Sequence, residues 1–171
     1  GGVEVGLGDI AVSEQGYVVF KTEGRLAVGW PDLGTVETLP VRDPARLSFA
    51  KERDVVYVGD MADDTLKAID VDSKSVLWAA SIEDVSLSTR IASNTTDSRI
   101  VVSQGESLVV VDARTGERIR RHHFGRAVVD TVLLSDGSRA LSVLEHDWDG
   151  DTPTTRVAVV ELADGDKRTL N

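Results

Sequence analysis

Apolar residues in this chain come in short β-branched runs separated by clusters of Gly, Asp, Ser and Lys. No window carries apolar positions at i, i+3, i+4 and i+7, so the pattern predicts strands throughout and no helix. The clearest stretch is Asp54–Trp78: a strand at Val55–Val58, a second at Leu66–Asp70, the turn Asp72-Ser73-Lys74, and a third strand opening at Ser75. Variants of it recur on both sides, and four units can be laid over one another.

The first unit covers roughly 9–41, with strands expected at Ile10–Val12, Tyr17–Phe20, Arg25–Val28 and Thr35–Leu39. The second covers 45–82, with strands at Arg46–Phe49, Val55–Val58, Leu66–Asp70 and Ser75–Trp78. The third covers 88–124, with strands at Arg90–Ser93, Arg99–Val102, Leu108–Val111 and Glu117–Arg120. The fourth covers 128–171, with strands at Thr131–Leu134, Arg139–Leu144, Arg156–Val160 and Lys167–Leu170. Taking Val56, Val101 and Leu141 as equivalent, the spacings are 45 and 40 residues. That is the period of four-stranded β-propeller blades. The large departure is an insertion between Leu144 and Arg156, read as a loop.

The polarity of the runs separates blades from a two-sheet sandwich. A sandwich strand has one wet face and alternates apolar with polar residues. Leu108–Val111 and Val157–Val160 are continuous apolar runs, as expected for strands buried on both faces between neighbours. The last strand of these units is mostly charged, as an outer edge strand should be. The expected fold class is therefore all-β, with about four blades of four-stranded antiparallel sheets in one domain, part of a larger propeller. An open set of blades would leave the outward faces of its end sheets exposed, which drives association.

The stretch Asp54–Gly59, with Ala68-Ile69-Asp70 and Trp78, resembles the repeats of YVTN-type and quinoprotein-like β-propellers, relatives in shape of the WD40 group. Leu108–Glu117 repeats its second half. The resemblance implies a propeller of six to eight blades, completed by further blades, by two copies of the chain or by another chain, with a closed four-bladed ring as the lesser alternative, and favours a periplasmic or extracellular setting. It carries no enzymatic site across. Quinoprotein cofactor sites often use a vicinal disulfide, and this chain has no Cys. Trp148-Asp149 is out of register for a WD40 repeat end.

Composition narrows the function classes. With 19 Lys and Arg against 29 Asp and Glu, the formal charge is −10. That field repels phosphate backbones and anionic lipid, so nucleic acid is an unfavourable partner. No apolar run reaches the length of a membrane span, so direct membrane insertion is not expected. The absence of Cys removes thiolate metal sites and Cys nucleophiles. The chain opens Gly1-Gly2 without Met, as a processed or excised piece would.

Candidate chemistry is sparse. Asp147, Asp149 and Asp151 stand at alternate positions around Gly150, like the first half of a calcium loop. The Gly after the third Asp and the bidentate Glu are missing, so a solvated acidic turn is the competing reading. Trp148 in the same insertion is a candidate anchor for a partner or a sugar ring. His122 and His123 are adjacent on a strand and point to opposite faces, which does not suit one shared metal. Gly6–Ala11 fits a dinucleotide fingerprint only formally, without the strand and helix that would give it meaning. Asp70, Asp112 and Glu161 each end a third strand and are expected to accept turn N–H groups. Trp78 and Phe124 end two units and are expected to pack between blades. No catalytic residues, cofactor site or nucleophile elbow emerge. The function expected is a non-enzymatic scaffold for protein–protein interaction, with oligomerisation as one route. The alternative is a calcium-dependent ligand- or carbohydrate-binding accessory or sensor domain of a larger secreted or membrane-anchored protein.

Overall fold

The computed structural model describes residues 10–22, 24–30, 34–50, 52–93, 98–149, 152–163 and 166–170. Among them are sixteen β-strands and no helix. The chain divides into two compact units, Gly1–Leu87 and Ser88–Asn171. Each unit holds two four-stranded sheets, and in every sheet the strands pair antiparallel in chain order.

The first unit carries β1 (Ile10–Val12), β2 (Val18–Thr22), β3 (Arg25–Gly29) and β4 (Val36–Leu39) in its first sheet. Its second sheet is β5 (Pro44–Phe49), β6 (Val55–Asp60), β7 (Thr65–Asp70) and β8 (Ser75–Ser81). The second unit carries β9 (Arg90–Ser93), β10 (Arg99–Gln104), β11 (Ser107–Asp112) and β12 (Arg118–His123) as the third sheet. The fourth sheet is β13 (Val128–Leu133), β14 (Arg139–Asp149), β15 (Thr152–Glu161) and β16 (Lys167–Leu170).

The ladders correct one register. Val55 pairs with Asp70, Arg99 with Asp112, and Arg139 with Glu161. Val56 therefore corresponds to Ile100 and Ala140, and the first spacing is 44 residues, not 45. A bulge falls at matching points, between Ala68 and Ile69 and between Val110 and Val111. A slip of one residue matters because it moves every side chain to the opposite face of the sheet.

With the register set, each sheet has two distinguishable faces. Face A carries Val56, Ile100 and Ala140; face B carries Tyr57, Val101 and Leu141. In the first sheet, counting from the β2–β3 hairpin puts Val18 on face A and Val19 on face B. In the first unit, Val19, Leu26 and Val28 on face B of the first sheet pack against Val56, Val58 and Ile69 on face A of the second. In the second unit, Val101, Leu108 and Val110 on face B of the third sheet pack against Ala140, Val160 and Leu162 near face A of the fourth. The same sense, B onto A, holds in both units.

The insertion between Leu144 and Arg156 is a strand arm rather than a loop. β14 and β15 continue past a register shift, pairing Asp147 with Thr154, Trp148 with Pro153 and Asp149 with Thr152. The outer strands are wet: five of the seven residues of β8 are exposed, and β12 is charged at Arg118, Arg120 and Arg121. The charges of β12 guard the edge of the third sheet, whereas β8 leaves Val76 and Leu77 exposed on the second.

Candidate functional site

Two sheet faces carry apolar rows with exposed members. On the fourth sheet, Val132, Leu141 and Val159 form one row across face B, and Val143 and Val157 extend it. Val132 is 57% exposed, whereas its neighbour Leu133 on the packed face is 7% exposed. On the first sheet, Ile10 and Phe20 form one row on face A, and Val12, Val18 and Val36 line the next. Ile10 and Val12 are 52% and 61% exposed, against 0% for Val19 on the packed face. The continuous run Val157–Val160 is therefore not buried on both sides. Ala158 and Val160 are buried, and Val157 and Val159 are only half-buried. In contrast, Leu108–Val111 is buried at every position.

Inside the first unit, Asp60 forms a charged knot at the end of β6. Its side chain is fully buried. Lys67 Nζ donates to it at 2.6 Å, and the backbone N–H groups of Arg42, Asp43 and Ala62 donate at 3.1–3.2 Å. Lys67 also donates to Asp63 at 3.1 Å, and Arg42 donates to Asp63 at 2.8 Å. Burial by itself raises the Asp60 pKa. The Lys67 ammonium and the three N–H donors outweigh it and hold the carboxyl below its ordinary value. Burial likewise lowers Lys67, and its bonds to Asp60 and Asp63 outweigh that and raise it. The arrangement clamps the connection between the first two sheets and leaves no acceptor lone pair obviously open to a substrate. Sequence reasoning missed it, because Asp60 reads as an ordinary strand-end carboxylate.

A cleft of about 310 Å³ opens between the same two sheets, lined by Tyr17, Val28, Trp30, Glu37, Asp72 and Lys74. Tyr17 and Trp30 form its aromatic wall, with ring centroids 3.9 Å apart and planes tilted by 48°. Lys74, at a left-handed φ of 57°, donates to the Glu37 carboxylate at the mouth. The volume is at the small end for ligand pockets.

The residues singled out from sequence fall as follows. Asp147, Trp148 and Asp149 lie on β14, and Asp151 lies outside the described residues. Among the described residues no group of three or more His, Cys, Asp or Glu is placed to hold a metal. His122 and His123 do face opposite ways. His122 is buried at 4% exposure, and His123 is solvent-facing, 3.4 Å from Glu106. Burial first, then Lys167 and Arg120, push the His122 pKa down, and its Nε2 has no hydrogen-bond partner among the described residues. Asp70 accepts from the N–H and hydroxyl of Ser73, at 2.7 and 2.6 Å. Asp112 accepts from the N–H groups of Arg114 and Thr115 at 2.8 and 2.9 Å. Glu161 differs: its carboxylate lies 3.9 Å from Arg139. Phe124 packs against the apolar clusters of both sheets of the second unit. Trp78 is only half-buried, stacked on Tyr57 of its own sheet at 6.1 Å.

No protein-family model matches the chain, and no curated protein matches it in sequence. Solved structures do match it in shape. The Swd1 β-propeller domain of Myceliophteria thermophila superposes with a TM-score of 0.59 at 15% identity, covering 74% of this chain and 38% of that one. The four sheets are β-propeller blades. Hydrazine synthase of Kuenenia stuttgartiensis matches with a TM-score of 0.73 at 13% identity, over 96% of this chain and 49% of its own. Dihydro-heme d1 dehydrogenase NirN, in complex with DHE, matches with a TM-score of 0.72 at 16% identity, over 95% and 37%. The chain thus spans less than half the length of each of these proteins. At such identities the likeness speaks to fold alone.

Proposed function

We propose that this propeller domain is a non-enzymatic scaffold that binds protein through face A of its first sheet and face B of its last. The observation that carries this is the exposure of apolar rows on those two faces, centred on Ile10 and Val12 and on Val132. Contiguous exposed apolar surface of this kind marks docking sites. Fully burying a valine-sized side chain contributes about 1.5–3 kcal/mol, so a partner sheet covering several gains substantially. The resemblance of Asp54–Gly59 and Ala68–Asp70 to YVTN-type repeats supports a scaffold of that kind, with further blades or another chain as partner.

The test compares the wild-type chain with the double variant Val12→Lys, Val132→Lys. The wild type is expected to bind a hydrophobic fluorescent dye and to associate as concentration rises. The double variant is expected to lose most of both while keeping its melting temperature. A wild-type chain that binds no dye and stays monomeric throughout overturns the reading.

A further inference from the structure

We infer that the occupant of the two exposed faces is a second copy of this chain, docked head to tail. Face B of the last sheet of one copy lies on face A of the first sheet of the other. This rests on the reading above that both faces are docking surfaces.

The pairing rule inside each unit carries the inference. In the first unit face B of one sheet covers face A of the next, and the second unit repeats that sense. The exposed faces are one of each kind, A on the first sheet and B on the last. They complement each other by the rule that both units already obey. A symmetric contact, A on A or B on B, has no precedent among the described residues within either unit. The strands that meet also follow a rule. β1 lies beside β5, and β13 beside both β9 and β10, so the first strand of one sheet meets the first strands of its neighbour. Across the new contact, β13 of one copy would lie beside β1 of the other, bringing Val132 near Ile10 and Val12. The chemistry agrees, because the Val132–Leu141–Val159 row is as apolar as the Leu133–Ala140–Val160 row packed on the opposite face. Two copies carry eight sheets, within the range of about four to eight blades that propellers use.

The chain has no Cys, so each introduced thiol is unique. Val12→Cys and Val132→Cys are made as separate variants, with Ile10→Cys as a second choice for the first sheet. Mild oxidation of the mixed variants is expected to give a covalent dimer, and oxidation of either variant alone to give none. Cross-linking within a single variant overturns head-to-tail pairing, since it requires like faces to meet. A mixture that yields no cross-link and has the mass of one copy overturns the second copy as occupant. In that case dye binding that disappears in the lysine double variant would leave the docking reading standing, and absence of dye binding would remove that reading as well.

Discussion

Asp60 shows what a buried charge costs and how the chain offsets it. An ionised carboxylate out of water is tolerable only when its lone pairs are filled, and here one ammonium and three N–H groups fill them. Asp60→Asn keeps the shape but turns an NH2 toward donors and leaves Lys67 with Asp63 as its one remaining carboxylate in this knot. The expected loss is about 3–5 kcal/mol by urea unfolding, the range for breaking a buried ion pair. The sign of its pH dependence follows from a folded pKa held below 3.8. The stabilisation is present above that value and is lost as pH falls through the folded pKa. His122 acts in a nearer window. Its folded pKa is depressed below 6.5, so the unfolded chain binds the proton more readily. Stability is expected to fall as pH drops below 6.5, and His122→Leu is expected to remove that part of the slope in thermal melts at pH 7 and pH 5.5.

At the scale of the element, turn chemistry is what made the blades legible. Asp70 and Asp112 close their hairpin turns by accepting N–H groups, a role readable from Asp followed by small polar residues. The strand arm of β14 and β15 was not legible. In sequence the stretch Asp147–Thr152 reads as polar and turn-like, and only continued pairing across the arm makes Asp147–Asp149 and Thr152–Thr154 extended. Trp78 was misjudged for a related reason. An aromatic residue at a repeat end reads as core, yet the wet outer strand leaves it half-buried against Tyr57. Trp78→Ala is accordingly expected to cost about 2 kcal/mol, below the roughly 3–5 kcal/mol of a fully buried Trp. Chemical denaturation measures the difference.

For the whole molecule, charge and apolar surface act against each other. A formal charge of −10 on each copy opposes association at long range, while the exposed valines favour it at contact. Salt screens the first over a Debye length of about 8–10 Å and leaves the second intact. Self-association is therefore expected to tighten as salt rises, measured by sedimentation across a salt series. Weakening with salt would point instead to a contact held by opposite charges.

By itself, the order of apolar runs and turn residues determined that this chain makes strands, that they group in fours, and that the last strands of the third and fourth groups are polar. Those outcomes depend on local pattern, which a linear reading contains. Which face of each sheet is covered was decided only in three dimensions. Val157–Val160 and Leu108–Val111 look alike in one dimension, yet one run is half-open and the other closed. The difference is set by what covers the second face, and no residue within a strand encodes that cover.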